Sequence, residues 1–372
     1  MKVMIDVARL ERGGLERQVV QLASGLALRG HTCVLAVHKN VEAYDDHLAE
    51  SGVEVRALGR MRWYDARVLF DLVRLCHTAD PDVVVTVEFV ATLWGRLAAL
   101  LLGRPCVTAE HSSMVRQRDR VRLANRLLGS FTRATVACAH AQVPTLLAAG
   151  NRPGAMVVIN NGVDTNEFRE DMAAGARFRE RAGIPPGALV LGLVAAHRKE
   201  KRHDRFVRLV EDLNAAGHDV WGCMIGGGPR LEADRELARR SVCAGRLVVT
   251  GPVTDMPGAY SGVDLVVLVS DDVETFPLCF LEAQACARPV VGMDTGGVRE
   301  TFLPGETGIL VRQGDAAQMA REVAALLEDR DRMSAMGVAG RRWVEAELSL
   351  DKMVDRYEAL LEKVAAGWRA GS

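Results

Sequence analysis

Two α/β domains, each a doubly wound parallel sheet with helices on its faces, are the fold this sequence predicts, on three observations. The chain has 372 residues, long for one hydrophobic core and a natural length for two. Short apolar runs alternate with longer stretches of helical period, the pattern of parallel strands joined by crossover helices. That alternation occurs twice, and a segment rich in Gly, Pro and charge lies between the halves, from Asn161 to Pro186. The expected limits are residues 1–170 for a first domain, 171–350 for a second, and 351–372 for a C-terminal helix able to pack back on the first.

Taken in order, the strand-like runs of the first half are KVMIDVA, TCVLAVH, VEVRALG, DVVVTVE, PCVTAEH, ATVACA and MVVINN. Between them lie segments such as LERQVVQLASGLALRG, a helix expected to begin near Glu16. The second half supplies ALVLGLVAA, VWGCMIGGG, RLVVTGPV, DLVVLVS, RPVVGMD and GILVR, and the stretch from Met333 onward reads as helices with little strand potential. Open sheets of this kind take ligands at the carboxyl ends of their strands, so two such sheets suggest a crevice where those ends meet.

Composition removes several classes of function. With 49% hydrophobic and 26% charged residues and a net charge of -1, the chain is globular and has no overall field that would draw it to nucleic acid. Eight cysteines without a C-x-x-C pair fit reduced thiols, and no apolar run approaches membrane-spanning length. The expected location is the cytoplasm, with peripheral contact to the inner face of a membrane left open. Basic residues number 47, of which only Lys2, Lys39, Lys199, Lys201, Lys352 and Lys363 are lysines.

The chemistry-bearing residues sit at strand exits. Gly13 and Gly14 follow the first strand and Gly226, Gly227 and Gly228 follow a later one, each before a helix. Such turns bring backbone N–H groups and a helix's positive end close to an anion, although a pair of glycines also fits an ordinary tight turn. Pro229 is expected in the first turn of the helix after the glycine triplet. The run HRKEKR places Arg198, Lys199, Lys201 and Arg202 at another exit; paired cations suit a diphosphate, with a solvated loop as the plain alternative.

In SDDVETFPLCFLEAQACARPVV, Glu274 and Glu282 bracket an apolar segment. Pro277 suits a first helical turn, which directs the N–H groups of Leu278, Cys279 and Phe280 toward an anion. The carboxylates then accept bonds from vicinal sugar hydroxyls. An exposed Glu282 and a capping Glu274 are the alternative, opposed by the cost of carboxylates in apolar surroundings. Gly296 and Gly297 mark one more exit, where the chain could pass close to a ligand. The Asp80–Asp82 and Asp271–Asp272 pairs look superficially like metal sites, but the first leads into a strand entrance and the second lacks further ligands.

Together, Glu274-x7-Glu282 with the following EAQACARPVVGMDTGGVRETFLPGETGILV, the IGGGPRLEADRELA turn and the amino-terminal RGGLERQVVQLASGLALRGH resemble the retaining GT-B glycosyltransferases of family 4. The resemblance implies two Rossmann-like domains facing across a cleft, the second holding a nucleotide-sugar, a uridine diphosphate sugar first, and the first holding an acceptor. Matched motif by motif, Glu282 with Gly227 and Val253 would hold the nucleoside, and Glu274 the donor-sugar hydroxyls. Phe276, Pro277, Leu278 and Cys279 would serve sugar and phosphates. Arg198 and Lys201 would neutralise the diphosphate, with Gly14 approaching it, and His111 would face the donor sugar. Many members carry Arg five residues before the Lys, where this chain has Ala196 and a nearby Arg198. His111, read alone, also fits a strand-end histidine bonded to backbone.

No metal or other cofactor is expected, because cations and a helix dipole can meet the diphosphate charge. The expected activity is hexosyl or N-acetylhexosaminyl transfer by same-face substitution to a hydroxyl of a sugar-containing, lipid-linked or small-molecule acceptor, with no nucleic acid partner. A nucleotide-sugar epimerase or hydrolase of the same fold, a pyridoxal-dependent phosphorylase on Lys199 or Lys201, and a non-catalytic sensor are the rivals. Glu16, Arg116 and Arg120 are weaker candidates for acceptor contact. The last two lie in MVRQRDRVRLANRLLGSFTRA, a basic amphipathic stretch that fits either a core-facing helix with a solvated Arg face or a surface for anionic lipid.

Overall fold

The computed structural model describes residues 1–11, 13–39, 48, 50–59, 65–111, 118–271 and 274–369. Unit 1 comprises Met1–Gly162 and Leu350–Ser372, and unit 2 Val163–Ser349. The boundary falls eight residues before the expected limit of 170, because neighbouring residues are tied to different units. Gly162 exchanges two hydrogen bonds with the Gln18 side chain of unit 1, at 2.8 and 3.0 Å. The Val163 N–H donates to Leu348 in unit 2, and Arg341 there holds the Thr165 and Phe168 carbonyls.

Unit 1 runs β1 (Lys2–Arg9), α1 (Gly14–Leu28), β2 (Thr32–Lys39), β3 (Glu54–Ala57), α2 (Arg67–Ala79), β4 (Val83–Val87), α3 (Phe89–Leu101), β5 (Cys106–Glu110), α4 (Arg118–Leu128), β6 (Thr132–Ala137), α5 (Val143–Ala148) and β7 (Met156–Val158). Among the described residues the strands form one parallel sheet ordered β3-β2-β1-β4-β5-β6-β7. The period of two along β1 explains why both faces are covered. Val3, Ile5 and Val7 pack with Val19, Ala23 and Leu26 of α1, whereas Met4 packs with Val68 and Leu72 of α2 and Ala98 of α3.

The C-terminal helix, Leu350–Arg369, completes the α1 side with Met353, Val354, Tyr357 and Leu361. Gly25 permits that contact, since a Cβ there would lie 2.7 Å from a Val354 methyl.

Unit 2 runs α6 (Met172–Ala182), β8 (Leu189–Val194), α7 (His203–Ala215), β9 (Val220–Ile225), α8 (Leu231–Arg240), β10 (Leu247–Gly251), α9 (Met256–Ser261), β11 (Leu265–Leu268), α10 (Leu278–Ala285), β12 (Val290–Met293), β13 (Gly308–Val311), α11 (Ala316–Glu328) and α12 (Arg330–Glu347). The presumed junction thus contains a well-formed helix: Asp171 caps α6 by accepting the Ala174 N–H, and Gly183 ends it at φ 69°. The parallel sheet is ordered β10-β9-β8-β11-β12-β13.

In both units the chain winds outward in one direction from its first strand and then crosses to the other side. The strand order therefore reverses between β1 and β4 and between β8 and β11. Ligands of such sheets bind at the carboxyl ends flanking that reversal. No helix among the described residues is long and apolar enough to cross a membrane.

Candidate active site

In unit 2 the exits of β8 and β11 carry the basic run and Glu274. The Lys201 ammonium donates to Glu274 Oε1 at 2.5 Å, and the carboxylate is only 5% exposed. A cation and an acid that the sequence reading expects at different parts of a ligand thus hold one another in the structure. Arg198 caps a single 3-10 turn, Lys199–Lys201, with its side chain exposed. Asp271 is paired with Arg202 and Arg205 at 3.1 and 2.9 Å; Asp272 lies outside the described residues.

Helix α10 begins at Leu278 with Pro277 as its cap residue, one position earlier than a first-turn proline. The Leu278 and Cys279 amides stand at its open end. The Phe280 N–H, expected to join them, instead donates to the Pro277 carbonyl at 3.2 Å. Burial and the neighbouring Glu274 push the Cys279 thiol up to about 12, so it stays protonated near pH 7.

Glu282 is also 5% exposed, and its Oε2 accepts the Tyr260 hydroxyl at 2.6 Å. Burial of Glu282 removes its reading as an exposed helix residue, and the cap residue of α10 is Pro277, not Glu274. The Gly296–Gly297 turn packs directly on the backbone of Glu274. At φ 52° a Cβ on Gly296 would overlap the Glu274 carbonyl oxygen, to which the Gly297 N–H donates at 3.1 Å.

The glycine triplet after β9 packs its backbone on the β8 exit. The Gly227 carbonyl accepts the His197 N–H at 2.8 Å, and a Cβ on Gly227 would approach Pro252 to 3.0 Å, beside half-buried Val253. Pro229 precedes α8, which starts at Leu231, and so lies in the turn instead of the helix.

In unit 1, α1 begins at Gly14, two residues before the expected start. Glu16 folds its carboxylate back over Gly13, where it faces the positive end of its own helix. His111 follows β5, and burial drives it down to about 4 with Asn161 only partly offsetting, so the ring is neutral near pH 7. Arg116 lies outside the described residues, and Arg120 falls in the first turn of α4.

Two residues escaped the sequence reading. Glu110 is raised to about 7 by burial, against the pull of Arg96, with Glu88 adding to the rise. Glu88 follows β4 at φ 68° and ψ 159°, a backbone region that favours glycine, and burial raises its carboxyl too, helped by Glu16. Glu88 follows β4, which borders the reversal point, and Glu110 ends the next strand, β5; their only sequence signal is a carboxylate at the close of an apolar run.

The sequence model of "Glycosyl transferases group 1" matches residues 176–343 and that of "Glycosyltransferase Family 4" residues 12–167. The GDP-mannose-dependent alpha-(1-6)-phosphatidylinositol monomannoside mannosyltransferase of Mycolicibacterium smegmatis is 30% identical over 348 residues, 89% of this chain and 90% of the relative. This chain is a family 4, group 1 glycosyltransferase. The glycosyltransferase also matches the 2-deoxystreptamine glucosyltransferase of Streptomyces kanamyceticus at 27% identity, over 80% of this chain and 82% of the relative.

Its fold is GT-B. HepE of Anabaena in complex with UDP superposes with a TM-score of 0.86, at 20% identity over 98% of this chain and all (100%) of that one. The sucrose-phosphate synthase of Thermosynechococcus elongatus gives 0.80, at 17% identity over 98% and 99%. The group 1 match of the glycosyltransferase contains Lys201, Glu274 and Glu282, and the family 4 match contains Gly14 and His111.

Proposed function

We propose that the enzyme transfers a hexose from a nucleoside diphosphate sugar, bound by unit 2, to a hydroxyl of a sugar-containing or lipid-linked acceptor bound by unit 1. The observation that carries this reading is the Lys201–Glu274 pair at the carboxyl edge of sheet β8–β13, beside the open end of α10. In the reading, the ammonium and the Leu278 and Cys279 amides meet the diphosphate, assisted by Arg198 and by Gly14. Glu274 accepts bonds from donor-sugar hydroxyls, with the backbone of Phe276 and Pro277 alongside. Glu282 takes the ribose, and the Gly227 and Val253 backbone borders the base.

No metal has a part in this scheme, because fixed cations and a helix's positive end supply the charge. The sugar leaves with its configuration retained: the acceptor hydroxyl attacks the anomeric carbon on the face that the phosphate departs, and the leaving phosphate oxygen takes the hydroxyl proton. His111, neutral near pH 7, serves as a hydrogen-bond partner to the sugar. Both glutamates are occupied with hydroxyls, which leaves neither as the nucleophile of a two-carboxylate retaining mechanism.

The GDP-mannose dependence in the name of the Mycolicibacterium smegmatis relative favours a guanosine donor over the uridine donor first expected. The same name, with its phosphatidylinositol mannoside, favours a polyol acceptor at a lipid surface and supports peripheral membrane contact.

Thermal-shift titration with GDP-mannose and UDP-glucose tests the donor, and the anomeric configuration of the product by NMR tests retention. Glu282→Ala should chiefly weaken nucleotide binding and Glu274→Ala chiefly lower turnover; two variants indistinguishable from the native enzyme would sink these assignments.

A further inference from the structure

A buried cluster that the reading above does not use lies directly beneath the basic loop. His197 and His203 are the residues on either side of Arg198–Arg202, and their rings stack at 4.1 Å with an interplanar angle of 20°. Both are buried, as is Asp234 of α8, whose Oδ2 lies 2.8 Å from His197 Nδ1 and 3.6 Å from His203 Nδ1. His197 Nε2 and both ring nitrogens of His203 have no hydrogen-bond partner among the described residues. Burying orphaned nitrogens is costly, and an apolar pair would fill the space without that cost.

A metal ion is one use for two histidines and an aspartate, but the geometry opposes it. Ring nitrogens bind metals along lone pairs in the ring plane, and the planes of stacked rings run side by side instead of converging on a point. The stack does something else: it closes the base of the loop. The main chain of His197 is fastened to the glycine turn on both sides, its N–H to the Gly227 carbonyl at 2.8 Å and its carbonyl to the Arg230 N–H at 3.0 Å. The middle of the loop is fastened to the β11 exit, where the Asp271 N–H donates to Glu200 at 2.8 Å. Arg202 is held at φ 51°, a conformation a non-glycine residue keeps only when its surroundings impose it.

We propose that His197, His203 and Asp234 are positioning residues that hold the loop so that Lys201 meets Glu274 and the donor diphosphate already placed. The device acts through packing and one hydrogen bond. His203 stays uncharged at neutral pH, since burial and then His197 lower it to about 4. The proposal rests on the reading that Lys201 serves the diphosphate, and the test separates the two.

Calorimetric titration of the full chain with GDP and with UDP is the measurement. His203→Ala and His197→Leu should weaken nucleotide binding on the order of tenfold, as small misplacements of a contact group do. His203→Phe, which keeps the stacked face, and His197→Asn, which keeps an N–H near the position of Nδ1, should restore it. In a Lys201→Ala background, His203→Ala should lose most of its effect, because only Arg198 of the loop's two diphosphate cations then remains to be positioned. If His203→Ala weakens binding equally in both backgrounds, or if His203→Phe behaves like His203→Ala, the positioning role is overturned. One equivalent of zinc in the purified protein, lost in His203→Phe, would overturn it in favour of a metal site. If Lys201→Ala itself binds both nucleotides as the native chain does, or if the native chain binds neither, the underlying reading of the loop fails first.

Discussion

Glu110 shows how one side chain's surroundings decide its chemistry. It lies half-buried at the end of β5, where desolvation raises its carboxyl from 4.5 to about 7, so the folded enzyme holds this proton more tightly than the unfolded chain. Stability from this group is complete below 4.5 and is lost as pH rises through about 7. His111 acts in the opposite sense: lowered from 6.5 to about 4, it costs stability as pH falls through that window. Glu110→Gln should therefore remove a downward slope from the melting temperature between 4.5 and about 7 while leaving the His111 slope in place. A Glu110→Gln melting curve parallel to the native one across that range would refute the assignment. Glu274 and Glu282 are legible as a spaced pair in a strand–turn–helix motif. Glu110 is not, because its behaviour depends first on the desolvation that the fold imposes and then on Arg96 and Glu88, brought beside it by other strands and helices.

At the scale of elements, α4 is the case where two sequence readings met one structure. Its buried face carries Leu128 and Asn125, and the Asn125 Oδ1 accepts from the buried Arg96 guanidinium at 2.7 Å. A buried guanidinium needs such partners, and this requirement rotates the helix so that a polar residue faces inward. The apolar stripe is left partly outside: Leu123 is 58% exposed, Leu127 63% and Phe131 46%. Arg122 and Arg126 are exposed beside them. Apolar side chains among arginines suit the surface of an anionic bilayer. The enzyme should sediment with phosphatidylglycerol vesicles at low salt and be released at high salt, and a Leu123→Ser, Leu127→Ser double variant should sediment less. If the native enzyme stays in the supernatant at low salt, the membrane contact has no support. A helical pattern in the sequence gives the stripe but leaves its facing open, since the partner that turns it lies on α3.

For the whole molecule, the consequential feature is that unit 1 is assembled from both ends of the chain while unit 2 is continuous. Removing residues 350–372 takes Met353, Val354, Tyr357 and Leu361 out of a shared core with α1. Burial of large apolar side chains contributes about 1.5–3 kcal/mol each, and together these four approach the net stability of a domain, about 5–15 kcal/mol. A chain ending at Ser349 should lose unit 1 to limited proteolysis and keep a resistant fragment of residues 163–349, identified by mass. A protease-resistant unit 1 in that truncated chain would show that the C-terminal helix is dispensable.

What the sequence determined by itself was the alternation of strands and helices, the exits where glycines and charges fall, and the motifs that resemble family 4, because period and turn chemistry are local properties of the chain. Only the tertiary structure decided that Lys201 binds Glu274, that Gly296 yields to the Glu274 backbone, that two histidines stack beneath the basic loop, and that α4 turns Leu123 and Leu127 outward while burying Leu128. Each of these depends on which distant segments share a neighbourhood, and burial then fixes what a carboxylate, an imidazole or a leucine can do there.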